Sequence, residues 1–174
     1  MAQRVADLIL PYALGDARLG DHVLEVGPGP GMTTDLLRDD VLRLTAVELD
    51  SQLAGSLAER LRGTNVAVVN ADATRLPFAD GSFTGAVSFT MLHHVPTVAM
   101  QDRLFAEVAR VLSPGACFVA SDSVASAELL ALHVGDPYNP VDPATVDERF
   151  RLAGLADAEV RFNDFGWAAR ATKR

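Results

Sequence analysis

Three glycines alternate through Glu25-Val26-Gly27-Pro28-Gly29-Pro30-Gly31, behind the apolar Val23-Leu24 and ahead of the amphipathic segment 32–38. Glycine lets a backbone turn tightly and approach a bound group, and a helix starting just beyond favours negative charge. The spacing therefore suits a nucleotide-like ligand held by main chain. A dinucleotide fingerprint reads G-x-G-x-x-G/A, and its last small residue would fall where this chain has Met32. The spacing here is G-x-G-x-G after an acid, which speaks against pyrophosphate. Glu48 follows Gly31 by seventeen residues at an expected strand end, where a carboxylate can accept from both hydroxyls of a ribose. Asp72, in Asn70-Ala71-Asp72-Ala73, could accept from an adenine amino group beside the Ala73 N–H. Residue type alone fits an Asx-turn as well. His93 and His94 follow a fourth apolar run, where a histidine could draw a proton from a hydroxyl or simply anchor the loop. Neighbouring side chains in extended chain point to opposite sides, so at most one of the two is expected to face a site. His133, Asp136 and Tyr138 are further candidates in a long connection.

The glycine run is joined by Thr45–Asp50, by Asn70–Ala73, by Leu76–Phe83 with Met91–Val95, and by Arg110–Ala116. In this order and spacing, over roughly residues 20–122, they resemble the class I S-adenosylmethionine-dependent methyltransferases. The similarity is nearest to the small methyltransferase-11-like branch, which includes quinone-biosynthesis C-methyltransferases. The resemblance implies S-adenosylmethionine as cofactor and S-adenosylhomocysteine as product. It sets the methionine part against Gly27 and Gly29, the amino group toward Glu25, the ribose on Glu48 and the adenine at Asp72 and Ala73. Pro28, Gly31, Thr33, Leu49, Phe89 and Thr90 complete the expected cofactor contacts. His94, His93 and His133 are the catalytic candidates on the acceptor side.

Methyl transfer asks little of a protein beyond in-line positioning and exclusion of water, because the sulfonium is already activated. A base is needed only if the acceptor holds a proton. Asp122, Asp136 and Asp142 could together hold a metal, but their spacing is not diagnostic, and no metal is expected. Thr84 stands where family members often have Asp. Enzymes that methylate nucleic-acid amino groups resemble N/D-P-P-Y/F after the fourth strand, where this chain reads Phe89-Thr90-Met91-Leu92. The similar Asp136-Pro137-Tyr138-Asn139-Pro140 comes after the fifth strand, so adenine methylation is not expected.

Composition narrows the partners. With 174 residues, 49% of them hydrophobic, one domain with a substantial core is expected. The net charge of -8 comes with no Lys/Arg block, which disfavours nucleic acid and a basic membrane-surface helix. A single cysteine, Cys117, excludes an intramolecular disulfide; it suits a reducing cytosol and reads as a small buried residue. Asp7 interrupts the N-terminal apolar stretch, so an export signal is not expected, and no segment is long enough to span a bilayer. A soluble cytoplasmic protein is the expectation.

The elements that must position these residues alternate. A helix reads over 2–14 with Val5, Leu8, Ile9 and Tyr12 on one face, then a strand at 22–26, a helix at 32–38, a strand at 43–48 and a helix from Ser51 to Leu61 capped by Ser51. Val66–Asn70 reads as a strand covered on both faces. Another strand follows at 84–91, a helix at 97–112 and a strand at 116–121. Asp142-Pro143 starts a last helix ending near Gly154. Strands at 158–162 and 165–172 then join through Asn163-Asp164. The expected fold is α/β, a doubly wound (Rossmann-like), mostly parallel seven-stranded sheet with helices on both faces; the closing antiparallel hairpin is what the resemblance implies. One domain is expected over 1–174, with its core at 20–122, a minimal lid at 123–141 and the closing helix and hairpin at 142–174. So short a lid suggests that the N-terminal helix packs against a second copy, as a homodimer. The function read from these residues is methyl transfer to a small-molecule acceptor. The alternatives are a non-catalytic module binding S-adenosylmethionine or S-adenosylhomocysteine, and a nicotinamide-dependent oxidoreductase.

Overall fold

The computed structural model describes residues 10–162 and 166–174. Seven strands form one sheet: β1 (His22–Val26), β2 (Arg43–Glu48), β3 (Val66–Asn70), β4 (Phe83–Phe89), β5 (Leu112–Ser123), β6 (Leu155–Phe162) and β7 (Gly166–Lys173). Their order is β3-β2-β1-β4-β5-β7-β6. The pairings are parallel from β3 to β5, while β7 runs antiparallel to both neighbours. This is the expected doubly wound sheet, with its switch in strand order between β1 and β4, where such sheets bind ligands beyond the carboxyl ends.

The helices are α1 (Leu10–Leu14), α2 (Met32–Leu37), α3 (Ser51–Arg60), α4 (Val98–Val111), α5 (Ala127–Leu132) and α6 (Val146–Ala153). On one face, Leu104, Phe105 and Val108 of α4 and Val146 and Phe150 of α6 pack with Phe118 and Trp167. On the other, Leu10 and Ala13 of α1 and Leu37 of α2 meet Val23, Phe89 and Val119, while Leu57 of α3 covers Ala46. Burial of this apolar surface on both faces is what stabilises the sheet. Arg149 ties α6 to α4: its Nε donates to Asp102 at 2.6 Å, its Nη2 to Gln101 at 2.9 Å, and its guanidinium lies 5.1 Å from the Phe105 ring centre.

Several expectations shift. Of the helix expected over 2–14, the described residues contain Leu10–Leu14; Val5, Leu8 and Ile9 lie outside them, as do Asn163, Asp164 and Phe165. The cap of α3 is Asp50, not Ser51, and its carboxylate accepts from the amides of Gln52 and Leu53 at 2.8 and 2.9 Å. β3 is an edge strand with no fully buried residue, so its apolar run does not mean cover on both faces. β4 stops at Phe89 because Thr90 takes φ 51° and the chain folds into a 3-10 turn, Leu92–His94. β5 runs from Leu112 to Ser123, beyond the expected 116–121. The connection at 123–141 carries α5, which no periodicity had suggested. Cys117 is half-buried rather than buried, and that burial pushes its thiol pKa up.

Gly85 marks the tightest approach. A Cβ there would overlap the carbonyl oxygen of Leu19, which is backbone and has little room to yield. Gly85→Ala is expected to destabilise the fold by about 2–3 kcal/mol, as overpacking does. Urea unfolding of the two proteins checks this.

Candidate functional site

The glycine loop is stapled from below. Glu25 is buried near the end of β1, with 1% of its surface exposed. One carboxylate oxygen accepts from the Thr33 hydroxyl and the other from the Thr34 hydroxyl at 2.7 Å. Both oxygens thus accept from hydroxyls in the first turn of α2, whereas the sequence reading had considered only the cofactor amino group, met directly or through water. Thr33 faces Glu25 in the same way. Burial pushes the Glu25 pKa up from 4.5 to about 7, against the pull of the two hydroxyls. The folded chain therefore holds this proton more tightly than the unfolded chain, and stability falls as pH rises through the interval. Between about pH 4 and pH 8 the native protein is expected to lose about 3 kcal/mol relative to Glu25→Gln, which keeps the shape and cannot ionise. Urea melts of both proteins across that range test the sign and the size.

Above the staple, Glu48 bridges two strand ends. Its Oε2 accepts from the Gly29 amide at 2.9 Å and its Oε1 from the Asp50 amide at 3.0 Å. Asn70 holds the end of β2 from the other side, donating to the carbonyls of Glu48 and Leu49 at 2.8 and 2.9 Å. Each carboxylate oxygen keeps a second acceptor direction beyond these amides. Gly27 has φ 70°, and a Cβ there would run into the Met91 side chain, so Met91 covers that part of the loop. Gly29 differs: at φ 53°, a Cβ built on it meets nothing within 4 Å. Pro28 and Gly31 close the turn through the Gly31 amide and the Pro28 carbonyl at 2.9 Å. Open space over Gly29, a buried acid beside it and the exposed Leu49 next to that acid fit a cofactor with a ribose and a flat apolar ring.

The remaining expected contacts are mixed. Asp72 is exposed and makes the Asx-turn: its Oδ1 accepts from the amide and the hydroxyl of Thr74, both at 2.8 Å, which leaves Oδ2 outside the turn. Ala73 follows in that turn and is half-buried. Phe89 points its ring into the core on the α1 and α2 face, so only its main chain lies at the strand end. The Thr90 amide donates to the Ser121 carbonyl at 2.8 Å, and the residue itself is exposed. Thr84 is structural, its hydroxyl accepting from the His22 amide at 2.9 Å.

Beyond β4 and β5 the geometry departs from the sequence reading. His93 and His94 lie in the 3-10 turn rather than in extended chain, and their rings are 4.2 Å apart. The His133 ring comes from the segment after α5 to 5.0 Å from His93 and 5.1 Å from His94. All three meet, because a tight turn does not alternate its side chains as a strand does. Asp122, whose side chain is fully buried, accepts from the His93 amide at 2.9 Å, lies 2.6 Å from His93 Nδ1, and accepts from the Ser123 amide at 2.7 Å. His133 Nδ1 is 2.6 Å from the Leu129 carbonyl, and its ring stacks on Tyr138 at 4.7 Å. Burial, then the neighbouring His93 and His133, push the His94 pKa down.

Two supports of this turn escaped the sequence reading. Gln101, fully buried on α4, donates to the carbonyls of Leu92 and Asn139 at 3.0 and 2.7 Å. Asn139 returns its amide to the His93 carbonyl at 2.7 Å and its side chain to the Val95 carbonyl at 3.0 Å. A glutamine among the apolar positions of α4 was the available signal. Asp122, Asp136 and Asp142, weighed as a possible but not expected metal set, form no cluster among the described residues: Asp136 is exposed, and Asp142 caps the turn before α6 by accepting from the Ala144 amide at 3.0 Å.

Residues 24–120 match a family model described as a methyltransferase domain. A demethylmenaquinone methyltransferase from Beutenbergia cavernae is 38% identical over 112 residues, 63% of this chain and 43% of that relative. A ribosomal RNA small subunit methyltransferase A from Bordetella pertussis is 36% identical over 99 residues, 52% of this chain and 37% of the relative. The matches thus span less than half the length of these curated relatives. The fold is similar to Haemonchus contortus phosphoethanolamine N-methyltransferase 2 in complex with S-adenosyl-L-methionine, with a TM-score of 0.78 at 16% identity over 98% of this chain and 52% of that one.

Proposed function

We propose, for a chain that belongs to the methyltransferase domain family and uses S-adenosylmethionine, that it methylates a small-molecule acceptor bound against His93, His94 and His133. The observation that carries this reading is the buried Asp122–His93 pair at the ends of β5 and β4. It sits across the sheet's switch point from the Gly29–Glu48 loop and is an expensive group to bury without a use.

The cofactor supplies a methyl group already activated on a sulfonium. Glu48 orients it through the ribose hydroxyls, and Gly29 leaves it room. Glu25, Thr33 and Thr34 keep the loop in one shape, so that little order has to be gained on binding. Met91 covers Gly27 and helps exclude water. Asp122 fixes His93 through Nδ1, which leaves Nε2 as the nitrogen available on the acceptor side.

A small molecule is favoured over RNA by the surface. The chain carries a net charge of -8. Arg60, Arg62, Arg110, Arg149, Arg151 and Arg170 are each paired with a carboxylate rather than free for phosphates. The test is transfer of a labelled methyl group from S-adenosylmethionine to a panel of phenols, quinols, thiols and amines, and separately to purified ribosomal RNA. Label in small molecules and none in RNA is expected. Label in RNA alone would overturn the acceptor class. Tight S-adenosylhomocysteine binding with no transfer to anything would leave a binding module.

No helix among the described residues is long and apolar enough to cross a membrane.

A further inference from the structure

A proton acceptor needs one imidazole, and here three converge. One ring nitrogen from each of His93, His94 and His133 lies within 4.8 Å of the others. The ring centres stand 4.2, 5.0 and 5.1 Å apart. A ring with a nitrogen about 2.0–2.1 Å from a zinc ion has its centre about 3.2 Å from that ion, so three rings at tetrahedral angles stand about 5 Å apart. Two of the three spacings already have that value.

The hydrogen bonds behind the rings complete the pattern. A carbonyl oxygen can only accept, so His133 Nδ1, 2.6 Å from the Leu129 carbonyl, is the donor nitrogen, and Nε2 is the one placed to face an ion. The Asp122 carboxylate does the same for His93. Ligating histidines are characteristically held from behind in this way, by a carboxylate or a carbonyl on the other nitrogen. His94, exposed at the rim, gives an ion a way in. The third ligand comes from the chain just after α5, a helix that buries none of its own residues.

We propose that His93, His94 and His133 form a site for one divalent transition ion of the zinc class, with Asp122 and the Leu129 carbonyl as its outer shell and a fourth position open toward the acceptor. An imidazole-only set with an open position suits zinc better than the oxygen-seeking magnesium or calcium. The occupant of the fourth position rests on the methyltransferase reading: a hydroxyl or thiol of the acceptor binds there and releases its proton to water. Its electron pair then forms the new bond to the methyl carbon, and the carbon–sulfur bond breaks with its pair going to sulfur.

The metal site is testable without turnover. The purified chain, stripped with a chelator, is titrated with ZnCl2 in a calorimeter and with CoCl2 by visible absorption. S-adenosylhomocysteine binding is measured on the same samples. One Zn2+ per chain and the absorption of a tetrahedral cobalt centre are expected. His133→Ala and His94→Ala should each weaken zinc binding by about 100-fold or more, and Asp122→Asn by about 10- to 100-fold, the range found for outer-shell partners. His133 lies outside the core, so its variant should fold, which circular dichroism verifies. Absence of stoichiometric zinc, or binding unchanged in both histidine variants, overturns the site. If zinc fails while S-adenosylhomocysteine binds, only the metal proposal falls. If S-adenosylhomocysteine fails while zinc binds, the methyltransferase reading falls instead.

Discussion

Replacing Glu48 with glutamine is expected to weaken S-adenosylhomocysteine binding by about 100-fold, or about 2.7 kcal/mol. The carboxylate already accepts from the Gly29 and Asp50 amides, one on each oxygen. A glutamine must turn its NH2 toward one of those N–H groups, so it loses a bond to the loop as well as the charge that strengthens bonds to ribose hydroxyls. The lost charge acts on the bound state, the lost loop bond loosens the free loop that binding must then order, and the side-chain volume is kept. Calorimetric titration of the two proteins checks this, with the far-ultraviolet spectrum confirming the fold. A change of less than about threefold would mean that the ribose lies elsewhere.

The second large effect concerns Asp122. Its alanine variant leaves the buried His93 amide and the half-buried Ser123 amide without their acceptor, and lets the buried His93 ring lose its partner and turn. Each orphaned buried donor costs about 1–3 kcal/mol, so Asp122→Ala should lose about 3–5 kcal/mol of stability. Urea unfolding measures it directly. A loss below about 1 kcal/mol would show that both amides find other partners, and that the carboxylate is not what holds the histidine turn.

How much of this was legible in the sequence depended on how local each feature is. The glycine loop and the terminal acid Glu48 could be read because spacing along one strand-turn-helix fixes them. The strand and helix alternation was readable for the same reason, down to the Gly154 stop, where Gly154 takes φ 91°, although Asp142-Pro143 opens a 3-10 turn and α6 itself begins only at Val146. Errors arose where neighbours in space decide. The burial of β3 depends on which strand ends the sheet, and its apolar run does not say. The hydroxyl partners of Glu25 were not legible either, because only the first turn of α2 brings Thr33 and Thr34 back over it. The three histidines were underread for a simple reason. Period-two alternation was applied to a stretch where Thr90, at φ 51°, ends the strand, and His133 was too far along the chain to be paired with them. Gln101 and Asn139 could be found only once α4 and the returning lid lay side by side.

α5 packs nothing into the interior, yet the chain on either side of it is anchored, by Asp122 before and by Asn139 after. Substitutions on that helix are therefore expected to cost folding little, while on the proposed function those on its face toward His133 would change the wall that an incoming acceptor meets. On that reading such a layout separates evolvability from stability: a lineage could sample new acceptors by drift at the exposed positions of this helix, so long as the Leu129 carbonyl still meets His133, with the core left as it is.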